Sequence, residues 1–153
     1  HFTDTTEAQY RRVMGVNVDG YVFMAQAALP HLVAAGGSLV SIASNAGTMG
    51  IAYHAVYSMT KGAVVQMTRS LAMEYMKTGI RVNAIAPGGV NTNLMQTLQF
   101  PEEVDFELIK PYVGFRPPAE PEDIAALFAF VASDEGRHIH GAILACDAGV
   151  TAG

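Results

Sequence analysis

The chain has 153 residues, half of them apolar and 15% charged. That is enough for one hydrophobic core, but too little charge for a free-standing domain, so another subunit or a further part of the fold is expected to cover much of its surface. A formal net charge of −5 without any Lys/Arg stripe excludes a nucleic-acid partner, and one cysteine, Cys146, excludes an intrachain disulfide and fits a reducing, cytoplasmic setting.

The elements follow in chain order. Asp4-Thr5-Thr6-Glu7 has the form of a capping box and opens a helix predicted over residues 4–32, ended by Gly36-Gly37. The run at 21–35 is the most apolar, but Gln26, Pro30 and His31 interrupt it and it is too short to cross a membrane. Ser38-Leu39-Val40-Ser41-Ile42-Ala43 reads as a buried parallel strand. A glycine-punctuated loop, Gly47 to Gly50, leads into a second long helix over 54–77, stopped by Gly79. The next strand, 80–86, is closed by Pro87-Gly88-Gly89. Residues 92–118 are irregular, with room for one or two short helices, and 93–118 are expected to form a lid over the site. Pro121-Glu122-Asp123 starts a helix, with proline at its first turn and acids at the positive dipole end, and 142–145 is the last strand.

Helices alternating with near-continuous apolar strands give an α/β fold with a parallel sheet. Three strands are thin for helices this long. There is no leader of a basic segment followed by an apolar one, and the opening His1-Phe2-Thr3 lacks an initiator methionine. The chain is therefore expected to be the later part of a larger unit.

The chemistry centres on Tyr57-Ser58-Met59-Thr60-Lys61, which stacks a phenol and an ammonium one helical turn apart on one face. Oxidising an alcohol requires removing its hydroxyl proton as well as hydride, and a phenol, with a pKa of about 10, is a poor base near neutrality. A lysine charge about 4 Å away favours the tyrosinate by roughly 4 kcal/mol at an effective dielectric of 20. The pair alone is common on exposed helices, and Ser44 makes it informative. It lies 13 residues before Tyr57, at the C-terminal end of a strand, where ligands bind in open parallel sheets. Its hydroxyl is placed to hydrogen-bond a substrate oxygen and steady developing charge.

Ser44-Asn45-Ala46-Gly47, Tyr57-x-x-x-Lys61 and Arg81-Val82-Asn83-Ala84-Ile85-Ala86-Pro87-Gly88 together resemble the compact short-chain dehydrogenases/reductases. Asn17, in Val16-Asn17-Val18-Asp19-Gly20, is similar to that family's mid-helix asparagine, which holds a proton-relay water. The resemblance runs along the whole chain to Asp147-Ala148-Gly149, where Ala148 departs from the usual glycine. It implies a Rossmann-like doubly wound parallel sheet, with residues 1–153 as its C-terminal catalytic portion. It also implies a homo-oligomer, most simply a tetramer, built through the two long helices.

The same resemblance gives Ser44 the role of substrate-orienting hydroxyl, Tyr57 that of acid/base and Lys61 that of ribose binder. Asn17 becomes the relay, and Pro87, Gly88, Val90 and Thr92 lie along the nicotinamide of NAD or NADP, with Val90 and Thr92 at its carboxamide. The substrate is then an alcohol or a ketone. One element is missing: no glycine-rich loop joins a strand to a helix, so the pyrophosphate cradle lies outside these residues.

Two other readings compete, a sugar-nucleotide epimerase using the same pair and a non-catalytic chain kept for subunit contacts. An epimerase is expected to continue into a larger substrate domain after Asp147-Ala148-Gly149, which disfavours the first, and the intact Ser/Tyr/Lys set disfavours the second. His138-x-His140 lacks a third ligand and is read as non-metal. His54, just before the Tyr57 helix, reads as a loop histidine, with lining of the pocket as the alternative. Met49, Met95, Phe100, Phe106 and Phe115 point to an apolar, cyclic substrate.

Overall fold

The computed structural model describes residues 1–96 and 103–152. Three parallel strands, β1 (Ser38–Ile42), β2 (Arg81–Pro87) and β3 (Ile143–Cys146), form one sheet in the order β1-β2-β3. Ser38 pairs with Arg81 through to Ile42 with Ile85, and Ala84 pairs with Ile143 through to Pro87 with Cys146. The strand carrying Ser44 is thus an edge strand, with a single neighbour among the described residues.

The first helix differs from expectation at its start. The capping box is Thr6 with Gln9: the Gln9 amide N–H donates to the Thr6 hydroxyl (3.2 Å) and the Thr6 N–H donates to Gln9 Oε1 (2.9 Å). Asp4 falls instead in a 3₁₀ turn, Phe2–Asp4, and Glu7 pairs with Arg11 one turn on, at 2.7 Å. A box needs a side chain three residues on that can turn back to the cap N–H, and Gln9 supplies it. Nor is the helix uniform. Helix α1 (Glu7–Met14) passes through a π turn, Gly15–Asp19, into α2 (Gly20–Ala35), where the Gly20 N–H donates to the Gly15 carbonyl. Gly36 ends α2 in the left-handed region (φ 66°), as its sequence position leads one to expect.

Helix α3 (Ala55–Glu74) ends a turn before the predicted boundary, because the Thr78 backbone and hydroxyl both close on the Tyr75 carbonyl. The region from 92 to 118 contains α4 (Asn93–Gln96), a 3₁₀ turn (Phe106–Leu108) and α5 (Lys110–Val113); within it, 97–102 lie outside the described residues. Helix α6 (Pro121–Ala132) opens on its proline, with Glu120 and Asp123 forming a capping box.

Strand alternation divides the packing between the two faces of the sheet. Val82, Ala84 and Ala86 face α2 and α3, where Ala25, Leu29, Ala72 and Ile80 form one apolar cluster and Ala43, Val64 and Val65 another. On the opposite face Arg81 reaches α6. Its guanidinium donates to the carbonyls of Val131, Ala132, Ser133 and Gly136, taking up the end of that helix. Fully buried Asn83 is satisfied by donating to the Ile139 carbonyl (2.8 Å) and accepting from the Ala142 N–H (3.0 Å). His140 does similar work: Nδ1 accepts from the Val82 N–H (3.3 Å), so Nε2 carries the hydrogen that goes to the Ala72 carbonyl (2.8 Å). Both ring nitrogens are thereby used in joining β2, α3 and the approach to β3.

The low charge has a visible counterpart. Phe23 and Met24 on α2 and Met73 on α3 stand 66%, 71% and 70% exposed, far more than large apolar side chains on a covered surface. At the chain's end, Ala148 sits at φ 58°, where the family's glycine is unstrained and an alanine costs about 1 kcal/mol. Buried Asp147 compensates locally, accepting from the N–H groups of Gly149 and Thr151 and from the Thr151 hydroxyl (2.6 Å). Those bonds overcome its burial and hold its carboxyl below the usual range.

Candidate active site

Parallel pairing brings the C-terminal ends of β1 and β2 to one edge of the sheet, and the site is assembled there. Ser44, two residues beyond β1, is buried. Its hydroxyl accepts from the Ala46 N–H (3.1 Å) at the head of a 3₁₀ turn, Asn45–Gly47. That turn lies directly on α3: a Cβ on Gly47 would stand 2.6 Å from the Lys61 carbonyl oxygen, closer than any packing allows. The glycine is what lets the serine loop approach the helix carrying Tyr57 and Lys61.

Tyr57 is in the first turn of α3, and Lys61 follows on the same face. The ammonium lies 5.9 Å from the centre of the Tyr57 ring. It is 8% exposed, and among the described residues its hydrogen-bond partner is the Ile42 carbonyl, at 3.0 Å. Among the described residues no carboxylate offsets that burial, which pushes the lysine pKa down. The Tyr21 hydroxyl donates to the same carbonyl (2.6 Å), and the Tyr21 ring lies 5.5 Å beneath the ammonium. Burial first, then the neighbouring Tyr57, raises the Tyr21 pKa against the lowering effect of that bond, so Tyr21 remains a neutral donor.

Asn17 occupies the middle of the π turn and is tied to the same helix. Its Nδ2 donates to the Thr60 hydroxyl (3.1 Å), which in turn donates to the Tyr57 carbonyl (2.7 Å). The widened turn thus sits against the Tyr57 turn of α3, and π turns recur where helices serve a site. Asn17, Ser44, Tyr57 and Lys61 are accordingly brought into one neighbourhood. Pro87 ends β2 at the same sheet edge. Beyond it Gly88 lies against Asp147, where a Cβ would come within 2.9 Å of backbone. Val90 forms a parallel bridge with Ala119, and the Thr92 hydroxyl accepts from the Met95 N–H at the start of α4 (3.4 Å).

Two members of the cluster carry no motif. His54 caps α3, with its ring 6.3 Å from Tyr57 and 6.0 Å from Tyr112 of α5. Burial, and then the neighbouring Tyr57, raises the Tyr112 pKa against the lowering effect of Ser44. His54 thus stands in the loop before α3, as expected, with its ring beside Tyr57 and Tyr112, and α5, part of the expected lid, lies next to it.

The expected apolar lining is corrected. Phe115 and Phe106 are exposed, Met95 packs by Gly89, and Met49 lines a separate cleft with Arg69 and Ile143. Phe100 lies outside the described residues. Chain topology carries these side chains elsewhere, and the groups beside Ser44 and Tyr57 are polar. Cys146, its thiol pKa pushed up by burial and then by Asp123 and Asp147, is not an activated thiolate.

Comparison with known proteins agrees with this geometry. A family model described as enoyl-(acyl carrier protein) reductase matches residues 1–151. Meso-2,3-butanediol dehydrogenase of Serratia marcescens is 39% identical over 149 residues, covering 97% of this chain and 58% of that protein. A mutant 4-hydroxyisoleucine dehydrogenase complexed with NADH and succinate superposes with a TM-score of 0.85 at 28% identity, covering 99% of this chain and 63% of that one. ElxO with NADP bound gives 0.83 at 28% identity, covering 99% and 61%. The chain thus spans about three-fifths of the length of these relatives. Its parallel sheet, flanking helices and end-to-end sequence match make it a member of the short-chain dehydrogenase/reductase family with a Rossmann-type fold.

Proposed function

We propose that this chain is the catalytic portion of an NAD- or NADP-dependent oxidoreductase that interconverts a secondary alcohol and a ketone. The observation that carries the reading is the convergence of Ser44, Tyr57 and Lys61 at one sheet edge, with Lys61 buried against a single carbonyl. An ammonium left with donors to spare beside a phenol suits a ribose diol, so the residues present fit a nicotinamide nucleotide. Tyr57 and Lys61 would hold its ribose, and Pro87, Gly88, Val90 and Thr92 would line the nicotinamide side. When bound, the cofactor supplies the hydride acceptor or donor.

The remaining chemistry belongs to the chain. Ser44 orients the substrate oxygen, and Tyr57 takes the hydroxyl proton in oxidation or returns it in reduction. The Lys61 charge stabilises the phenolate in between. Asn17, held to Thr60, is assigned the relay of that proton toward solvent.

The pyrophosphate cradle belongs to residues outside these 153. The free edge of β1 and the coverage of three-fifths of the relatives support that reading. The test is spectrophotometric. The complete protein, given NAD or NADP and a panel of secondary alcohols, reduces one cofactor with at least one alcohol; no turnover across the panel refutes the proposal.

The apolar side chains on α2 and α3 support a homo-oligomer, most simply a tetramer, in which these helices pair across a two-fold axis. The single cysteine supports a cytoplasmic location. No helix among the described residues is long and apolar enough to cross a membrane. Light scattering of the complete protein at micromolar concentration is expected to give a multiple of the protomer mass, and Phe23→Asp is expected to lower it. A monodisperse wild-type monomer would count against the interface.

A further inference from the structure

Lys61 is buried, and among the described residues its ammonium has the Ile42 carbonyl as hydrogen-bond partner and no carboxylate. Burial by itself favours the neutral amine. An amine would give the Tyr57 phenolate no opposing charge, so something else has to keep the proton on the lysine. The groups that face it come from neighbouring elements. Helix α3 offers the Tyr57 ring at 5.9 Å, β1 the Ile42 carbonyl at 3.0 Å and α2 the Tyr21 ring at 5.5 Å. Tyr57 and Tyr21 are the titratable ones, and both are uncharged as phenols.

Tyr21 is tied to that place. Its ring packs on the cluster of Ala43, Val64 and Val65, and its hydroxyl donates at 2.6 Å to the same Ile42 oxygen that Lys61 uses. A carbonyl oxygen has two lone pairs, and the phenol and the ammonium can take one each. The hydroxyl therefore fixes the ring under the ammonium and leaves Lys61 a single way to bond the carbonyl. The negative face of an aromatic ring attracts a cation at this distance, more strongly where water is excluded.

We propose that Tyr21 is a positioning residue that acts through Lys61: its ring keeps the ammonium charged, and its hydroxyl holds ring and ammonium in place beside Tyr57. The inference rests on the dehydrogenase reading, which is what makes that charge matter. The Tyr57–Lys61 pair can give up one proton in two ways. Loss from Tyr57 leaves the working phenolate and ammonium. Loss from Lys61 leaves an amine and a phenol that is already protonated and cannot take the substrate's proton. Stabilising the ammonium selects the first. Tyr21 is not among the groups assigned to the substrate oxygen, so its loss acts on kcat rather than on the KM for the alcohol.

The test uses the complete protein with its cofactor. Tyr21→Leu is expected to bring the alkaline limb of kcat for alcohol oxidation about one pH unit lower, the effect of losing a desolvated cation–π contact. The Lys61 titration midpoint, followed by NMR of isotope-labelled lysine and assigned by its absence from Lys61→Met, should fall by the same amount. Tyr21→Phe keeps the ring and is expected to restore most of that shift. A residue that only supported the fold would lower kcat evenly across the pH range. Where Tyr21→Leu does not fold, pentafluorophenylalanine at position 21, which keeps the shape and removes the negative ring face, is compared with Tyr21→Phe. A limb and a midpoint that stay at their wild-type places without the ring face overturn the proposal. A shift that Tyr21→Phe shows in full overturns the role of the ring. Absence of turnover with every alcohol refutes the dehydrogenase reading instead, and the NMR midpoint still tests the contact.

Discussion

Tyr57→Phe in the complete enzyme is expected to lower kcat by 10²–10⁴-fold, the usual contribution of a positioned acid/base group, with cofactor affinity changed little. The substitution removes only the phenolic oxygen. The ring stays against His54, and the Tyr57 backbone carbonyl still accepts from Thr60. Lys61 keeps its bond to the Ile42 carbonyl and stays over Tyr21, so the rest of the proposed ribose contact survives. Stopped-flow measurement of the hydride step, together with fluorescence titration of the cofactor, separates the two effects. Retention of more than about a tenth of the wild-type kcat would remove Tyr57 from the acid/base role.

The 153-residue chain on its own is expected to bind neither NAD nor NADP in the micromolar range. Dinucleotide affinity in this fold comes largely from a glycine-rich turn that presents backbone N–H groups at a helix N-terminus. The sequence contains no such turn between a strand and a helix. The glycines near the site do other work: Gly47 lets the serine loop close on Lys61, and Gly88 lets β2 end against Asp147. What remains is the proposed nicotinamide side, with Lys61, Tyr57 and the Pro87–Thr92 stretch. Calorimetry on the folded chain checks this directly, with circular dichroism to establish that it is folded. Micromolar binding would mean that the phosphate contacts are made by residues of this chain.

Much of the site was legible because its determinants are local. Tyr57 and Lys61 share a face because four residues make about one helical turn, and Ser44 reaches them because a strand end, a short loop and a helix start follow one another in sequence. The three strands, the stops at Gly36 and Pro87 and the proline start of α6 are likewise written in backbone preferences that act over a few residues. The start of α1 was read two residues too early, since two overlapping residue sets fit a capping box and only hydrogen-bond geometry separates them.

Other features depend on which distant segments meet. Asn17 stands forty-three residues from Thr60, and no periodicity marks the π turn that brings them together. Tyr112 comes from an irregular stretch without a motif, and nothing local distinguishes it from Phe115, which is fully exposed three residues later. Hydrophobicity drew attention to the phenylalanines and methionines of that stretch, yet a pocket is chosen by where the chain returns, and here it returns with a phenol. Local propensity therefore determined the helices, the strands and the placement of Ser44, Tyr57 and Lys61. Tertiary packing alone decided what faces them, because contacts across large sequence separations are set by the whole fold and leave no period in the sequence.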